Sequence, residues 1–382
     1  MTLSEFLEEK PLYYAKIDYK RMPRVYKKIK EHFCCSKIIH LVGTNGKGTT
    51  GRFLASALYK LGYKVGHYTS PHIINFNERI WLNGQIVSGS LLESSHQKLQ
   101  KLLTKKDAES LSFFEYTTFL AMLVFNNCEY IILEAGLGGE HDATAVFPKN
   151  LTLVTPISYD HEAFLGSTIE SIATEKLNAI QNNAILALQE YTEVYEVAKN
   201  LARKKNLNIS KISEYIKTSD EAKIQKISKR LSLVLYLSEN LKLSIACLNF
   251  LNIDYDVEHF DNARLFGRLT SLNENIIIDV GHNPLAAHSI KKALEPQKYI
   301  LVYNTYEDKD YFTILDILKP IIEHLEIIDI DDKRIEKEDK LQKVLTDLKI
   351  KYKPFKKHQE SKKYLVFGSF KVVEKFLKVY DE

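Results

Sequence analysis

The sequence predicts an α/β protein. A larger domain with a mostly parallel sheet is built around a phosphate-binding loop, and a smaller Rossmann-like α/β domain follows it. Three observations carry this prediction. First, Ile38-Ile39-His40-Leu41-Val42 is an apolar strand running into Gly43-Thr44-Asn45-Gly46-Lys47-Gly48-Thr49-Thr50. Phe53, Leu54, Ala57, Leu58 and Leu61 then share one stripe of a helix that Gly62 ends. Second, Tyr130-Ile131-Ile132-Leu133-Glu134 is another apolar strand, closing on a carboxylate. Third, from Phe266 onward, strands at 276–280, 299–303, 325–330 and 364–367 alternate with helices.

A glycine turn between a strand and a helix presents backbone N–H groups to an anion, and the helix N-terminus adds partial positive charge. Lys47 is placed to reach a terminal phosphate, and Thr49 or Thr50 to put a hydroxyl on Mg²⁺. The strict pattern G-x-x-x-x-G-K-[ST] is not met, because position 41 is Leu and Gly48 separates the lysine from the hydroxyl. A plain glycine turn with a solvated lysine is the competing interpretation. The strand and helix on either side favour nucleotide binding.

The chain of 382 residues is long enough for two domains, expected at 1–262 and 263–382. A net charge of +4 is mild. The lysines from Lys349 to Lys363 alternate with apolar or polar residues and no helix-turn-helix pattern accompanies them, so a solvated face is expected rather than a nucleic-acid surface. The four cysteines, Cys34, Cys35, Cys128 and Cys247, form no CxxC pair, and the adjacent pair is poorly placed for a structural disulfide. The acidic N-terminus lacks the apolar core of a signal peptide, and no apolar run is long enough to span a bilayer, so a cytoplasmic protein is expected.

Along the chain, the first forty residues read as helical around a polar stretch at 15–23. Residues 64–69 form a strand joined to the first through a helix, as a parallel βαβ unit requires, and it ends in Ser70-Pro71-His72 at the sheet edge where such folds bind ligands. A polar stretch with Asn77, Glu78, Arg79 and Trp81 follows, and Phe113-Phe114-Glu115-Tyr116 begins a helix. Glu134 ends its strand as an acid is presented to Mg²⁺ beside a phosphate loop, although a strand-end surface contact is the alternative. Gly136-Leu137-Gly138-Gly139 suggests close backbone approach to a ligand rather than a dinucleotide fingerprint. His161, after the strand at 151–155, is equally a structural histidine or a ligand by position.

Ser167 is the expected N-cap of a helix with Glu170 at its third position. Ile169, Ile172, Lys176 and Ile180 follow at spacings of three, four and four, which puts Lys176 on the apolar stripe. Such a lysine either snorkels or loses charge by desolvation and becomes open to carbamylation. A helix is expected through Ile224, Ile227, Leu231, Val234 and Leu235, and a linker at 254–262. Arg268 and Asp279 have both a surface and a nucleotide-facing interpretation. Asn283 and Pro284 start a helix as N-cap and first residue.

Together, Gly43-Thr44-Asn45-Gly46-Lys47-Gly48-Thr49, Tyr68-Thr69-Ser70-Pro71-His72, Phe114-Glu115-Tyr116, Leu133-Glu134-Ala135-Gly136-Leu137-Gly138-Gly139, Asp160-His161, Glu175-Lys176, Gly267-Arg268, Asp279-Val280-Gly281-His282-Asn283-Pro284 and Gly368-Ser369-Phe370 stand in order over most of the chain. This resembles the folylpolyglutamate synthase/dihydrofolate synthase family, a branch of the Mur ligase superfamily in which a glycine follows the loop lysine. The resemblance implies a Mur-ligase-like central P-loop domain, a Rossmann-like C-terminal domain and an active site in the cleft between them. It implies an ATP-dependent ligase that joins L-glutamate to dihydropteroate or to reduced folates through an acyl phosphate.

By motif position, Thr44, Asn45, Gly46, Lys47, Gly48 and Thr49 would hold ATP, with Arg268 and Asp279 from the second domain. Ser70, Glu134 and His161 would bind Mg²⁺, Lys176 would be carboxylated, and His282 would lie near the reacting centre. Ile17, Asp18, Tyr19, Ser112, Phe113, Phe114, Glu115, His141, Asp142 and Ala143 match the positions for the pterin. Glu140 and Ala145 depart from the family's usual Arg and Asn, and the family's ATP-contacting asparagine is expected to be replaced near Lys229-Arg230. Members of this type are expected to be monomers. Two other functions compete. A Mur ligase of cell-wall synthesis needs an N-terminal domain for which a phosphate loop at residue 43 is expected to leave no room. A nucleotide-binding regulator would bind ATP without turnover.

Overall fold

The computed structural model describes residues 1–10, 18–34 and 36–380. These fall into two compact units: Met1–Ser158, Glu162–Leu233 and Leu237–Ala263 form the first, and Tyr159–His161, Val234–Tyr236 and Arg264–Glu382 the second. Among the described residues no helix is long and apolar enough to cross a membrane.

The first unit is organised on eight strands: β1 (Lys37–Val42), β2 (Val65–Tyr68), β3 (Ile80–Leu82), β4 (Gln85–Ile86), β5 (Tyr130–Glu134), β6 (Leu151–Val154), β7 (Asn183–Leu186) and β8 (Asn208–Lys211). Their spatial order is β4-β3-β2-β5-β1-β6-β7-β8. The central strand β1 pairs in parallel with β5 and β6, so its C-terminal edge, where the phosphate loop begins, lies beside Glu134 on one side and Val154 on the other. Side chains alternate across β1. Ile39 and Leu41 join the core under the helix Lys47–Lys60, whereas Ile38 joins the core under the helix Phe113–Val124. Phe53, Leu54 and Leu58 are fully buried in that first core, which at about 1.5–3 kcal/mol each is a large part of what fixes the phosphate-loop helix.

The second unit carries β9 (Thr270–Ser271), β10 (Ile276–Ile278), β11 (Tyr299–Tyr303), β12 (Ile322–Ile327), β13 (Tyr352–Pro354) and β14 (Tyr364–Phe367) in the order β13-β12-β11-β14-β10-β9. All pairs are parallel except β9 with β10. The helix Pro284–Leu294 starts as expected, with Asn283 accepting from the Ala286 amide.

Several sequence-based expectations need correction. Within the polar stretch, Phe76–Arg79 is a 3-10 turn and Ile80–Leu82 is the strand β3, where Trp81 lies opposite His67 of β2 in an antiparallel pair next to the edge strand β4. The stretch at 15–23 reaches into the helix Arg21–Ile29, where Met22 is buried. The N-cap of the helix Ile169–Leu177 is Thr168, whose hydroxyl accepts from the Ser171 amide, so the cap sits one residue later than Ser167. The helix expected through 224–235 is two helices, Thr218–Arg230 and Leu235–Phe250, broken where Ser232 takes φ of +51°. The supposed linker at 254–262 is packed: Tyr255 and Phe260 are buried against each other, and the Tyr255 hydroxyl donates to Asp220 at 2.7 Å. The strand expected at 325–330 is β12, which begins three residues earlier.

Candidate functional site

The phosphate loop turns through two glycines in backbone conformations that other residues rarely adopt, Gly43 at φ +140° and Gly46 at φ +90°. A Cβ on Gly43 would lie 2.1 Å from the Thr155 hydroxyl, and one on Gly46 would lie 2.4 Å from the side-chain oxygen of Asn240. The loop is therefore closed in by neighbours on both sides. Gly46 is the N-cap of the helix Lys47–Lys60 and supplies no capping side chain, so the first-turn N–H groups are left for an anion. The Thr44 amide donates to the Pro156 carbonyl at 2.9 Å and that of Asn45 to the same oxygen at 3.4 Å, which pins the outer arm of the loop to the chain after β6. Lys47 folds back over the loop, its amine donating to the carbonyls of Gly43 and Thr44 at 3.1 Å each. Thr49 is buried beside Gly48. Thr50 is fully buried, and its hydroxyl has no partner among the described residues.

Asn240 carries no signal in the linear sequence. The helix Leu235–Phe250 sets it against Gly46, and Ser244 one turn later donates to the Thr50 carbonyl at 2.8 Å. An asparagine on a mid-chain helix therefore does stand beside the loop. It lies a helix later than Lys229-Arg230, and the break at Ser232 hid it.

Behind the loop, Lys176 is buried, and its amine donates to the Gly43 carbonyl at 3.0 Å. This resolves the sequence ambiguity towards an inward-held lysine. At the end of β5, the buried Glu134 carboxylate accepts from the Ser70 amide at 3.2 Å, so two of the three expected metal ligands are neighbours in the first unit. His161 belongs to the second unit.

The expected acceptor residues are placed as follows. Ile17 lies outside the described residues. The Asp18 carboxylate accepts from the Lys20 amide, and the Tyr19 ring packs against that of His141, tilted by 33° with centroids 4.3 Å apart. Ser112 caps the helix Phe113–Val124 in a reciprocal capping box with Glu115, and Glu115 also accepts from Arg21 at 2.6 Å. Phe113 is buried against Phe76, and Phe114 stacks on Tyr68 at 5.7 Å. Asp142 accepts the amides of Gly136 and Leu137, while Ala143 is buried. Burial pushes the Asp142 carboxyl above its ordinary range, against the donors that stabilise its anion. Glu140 turns to the surface, where its carboxylate accepts from Asn178 at 2.7 Å.

In the second unit, Asp279 is a knot rather than a free carboxylate. It accepts from the Gly281 amide at 2.7 Å, the Leu269 amide at 2.8 Å and the Tyr236 hydroxyl at 3.1 Å. It thereby holds the turn that carries Arg268, whose guanidinium lies over the Phe370 ring at 5.1 Å. His282 approaches Asp160, Nε2 to carboxylate, at 3.5 Å, and Lys309 pairs with the same carboxylate at 2.7 Å, both charges almost fully buried. Burial alone would raise the Asp160 carboxyl. The hydrogen bond and charge of His282, with His161 and Lys309, hold it well below the usual range instead. Lys309 had no sequence signal, because its partner is 149 residues away.

No family model matches the chain. Among curated relatives, the chain is 30% identical over 381 residues to the dihydrofolate synthase/folylpolyglutamate synthase of Buchnera aphidicola from Acyrthosiphon pisum, covering 90% of this chain and 89% of the relative. It is 31% identical over 305 residues to the protein of the same name from Escherichia coli, covering 75% and 71%. Among solved structures, Helicobacter pylori folylpolyglutamate synthetase is 38% identical with a TM-score of 0.81, covering 99% of this chain and 98% of the other. Escherichia coli FolC in complex with DHPP and ADP is 25% identical with a TM-score of 0.82, covering 100% and 98%. On this similarity, which runs nearly end to end, the chain belongs to the dihydrofolate synthase/folylpolyglutamate synthase family.

Proposed function

We propose that this protein is an ATP-dependent ligase that adds L-glutamate to dihydropteroate, to the glutamate tail of reduced folates, or to both. The observation that carries the proposal is the phosphate loop itself. Gly43 and Gly46 are fixed by Thr155 and Asn240, the Lys176 amine backs the loop, and Ser70 and Glu134 meet at the end of the neighbouring strand. The two curated relatives described above bear the name of this activity, and a similar solved structure is a complex with DHPP and ADP.

In the proposed reaction the acceptor carboxylate attacks the γ-phosphorus of ATP, ADP leaves, and an acyl phosphate forms. The glutamate amine then attacks the acyl carbon and loses a proton, and the tetrahedral intermediate collapses with loss of phosphate. The work of the chain is positioning and charge neutralisation. Lys47 leaves the carbonyls it now contacts to meet the terminal phosphate, with Thr44, Asn45, Gly48 and Thr49 around the phosphates and Asn240 against the loop. Arg268 and Asp279 are the second unit's proposed ATP residues, and His282 its residue for the reacting centre.

Ser70 and Glu134 fit a hard cation, one buried carboxylate beside one hydroxyl residue, and with His161 they would hold Mg²⁺, which when bound neutralises phosphate charge. Carbamylation of Lys176 would exchange the donor now facing Gly43 for an anionic oxygen ligand. Residues 1–262 would serve as the ATP-binding and acceptor domain and 263–382 as the C-terminal ligase domain. Glutamate as donor and a monomeric, cytoplasmic enzyme belong to the same proposal.

The acyl phosphate step is tested with acceptor labelled by ¹⁸O in its carboxylate. One labelled oxygen should pass to inorganic phosphate in each turnover, and unlabelled phosphate would overturn the mechanism.

A further inference from the structure

We propose that His40, acting through Thr144 and Asp142, is a positioning residue that fixes the backbone loop after Glu134, where the acceptor is taken to bind. The inference rests on the ligase proposal above and adds to it a residue with no assigned role.

His40 stands in the middle of the central strand β1, fully buried among Ile38, Ile39, Leu41 and Val42. An apolar residue there would avoid the cost of burying an imidazole, so the ring has to be explained by what it bonds. Its Nε2 lies 2.7 Å from the Thr144 hydroxyl oxygen. That hydroxyl donates its own proton to Asp142 at 2.5 Å, so its oxygen accepts from His40 and Nε2 carries the hydrogen. Nδ1 then bears the lone pair, and it is buried without a partner among the described residues. Burial, with the charge of Lys149 nearby, holds the ring neutral. The other Asp142 oxygen accepts the amides of Gly136 and Leu137 at 2.9 and 3.0 Å. Lys149, itself buried, ties the far end of the segment by donating to the Ala145 carbonyl at 2.8 Å.

A directed series of bonds therefore runs from β1, three residues before Gly43, to backbone amides two and three residues after Glu134. The segment it holds contains Gly136, Gly138 and Gly139, whose backbone is otherwise poorly constrained by sequence. Apart from Nδ1 of His40 its members are bonded, and a buried polar network of this kind selects one conformation of such a loop. It also links the strand that feeds the phosphate loop to the loop proposed to hold the acceptor.

The test compares His40→Leu, which keeps bulk and removes the donor, with His40→Gln, whose amide nitrogen stands in for Nε2. Two readouts are needed: KM for dihydropteroate and for ATP, and hydrogen exchange of peptides spanning 134–147. His40→Leu should raise the acceptor KM by about tenfold while the ATP KM stays within about twofold, the size expected when one buried donor is lost. Exchange at Gly136 and Leu137 should accelerate, and His40→Gln should restore both readouts towards the original. If His40→Leu does not fold, Thr144→Val breaks the same series of bonds and should accelerate the same amides. The inference is overturned if exchange in 134–147 is unchanged, if both KM values rise together, or if His40→Gln behaves like His40→Leu. Absence of ligase turnover in the unmodified protein would instead defeat the ligase proposal, and the exchange comparison would still decide the role of His40.

Discussion

The Lys176 amine donates to the backbone carbonyl of Gly43 at 3.0 Å, across 133 positions of sequence. The contact places a buried nitrogen directly beneath the first residue of the phosphate loop, on a helix that Thr168 caps and Ile169, Ile172 and Leu177 bury. Lys176→Met keeps the apolar stem and removes the nitrogen. It should lower kcat by about a hundredfold or more with a small change in Tm, as expected when a charged group in a phosphoryl-transfer site is lost. Lys176→Ala should be equally impaired, and short carboxylic acids should partly restore it if a carbamate is the working form. Unchanged activity in either variant would remove Lys176 from the mechanism.

Gly46 and Asn240 form a second test of the loop. With φ at +90° and a Cβ position 2.4 Å from the Asn240 oxygen, Gly46→Ala is strained both in backbone and in space. The cost should be about 1–3 kcal/mol, seen mainly as a raised ATP KM. Gly46→Ala combined with Asn240→Ala should recover part of the loss, because only the spatial conflict is relieved. A double variant no better than the single one would place the whole effect in the backbone.

Glu134→Gln removes the carboxylate charge and keeps its shape beside Ser70. The Mg²⁺ concentration for half-maximal activity should rise by about tenfold or more, with the ATP-dependent reaction recovered in part at high Mg²⁺. An unchanged Mg²⁺ dependence would remove Glu134 from the metal site.

Lys10 gives a pH test independent of catalysis. Its buried amine donates to the carbonyls of Ala108 and Leu111 at 2.7 Å each, and burial pulls its pKa down to about 8 from the ordinary 10.5. Above pH 8 the folded chain releases this proton while the unfolded chain keeps it. The unfolded state then binds more protons, and the contribution of Lys10 to stability rises with pH towards 10.5. The full shift corresponds to about 3–4 kcal/mol as an upper bound, which solvent screening reduces. Lys10→Met should therefore show a smaller rise in Tm between pH 7.5 and 9.5 than the original chain. Equal slopes would contradict the assignment.

Much of the site was legible because its signals are local. The strands at 130–134, 299–303 and 364–367 stand as read, since continuous apolar runs bounded by polar residues leave little choice. The loop from Gly43 to Thr50 declares itself through glycines that only a tight turn needs. What could not be read depended on distant partners or on very short elements. Lys309 and Asp160 pair across the chain, and nothing in the linear order marks them. Asn240 was hidden because the apolar spacing through Leu231, Val234 and Leu235 continues past a helix break made by Ser232. The strand holding Trp81 has three residues, too few for an alternating pattern to emerge. The stretch at 254–262 looked like a linker because two buried rings, Tyr255 and Phe260, anchor an otherwise polar run.

Glutamate ligation is tested most directly by ADP release measured with ATP and Mg²⁺ alone, with dihydropteroate or tetrahydrofolate added, with L-glutamate added, and with acceptor and glutamate together. Sustained ADP release is expected only when both are present, with one glutamylated acceptor detected by mass spectrometry for each ADP. ADP released equally without acceptor, or turnover without a glutamylated product, would contradict it.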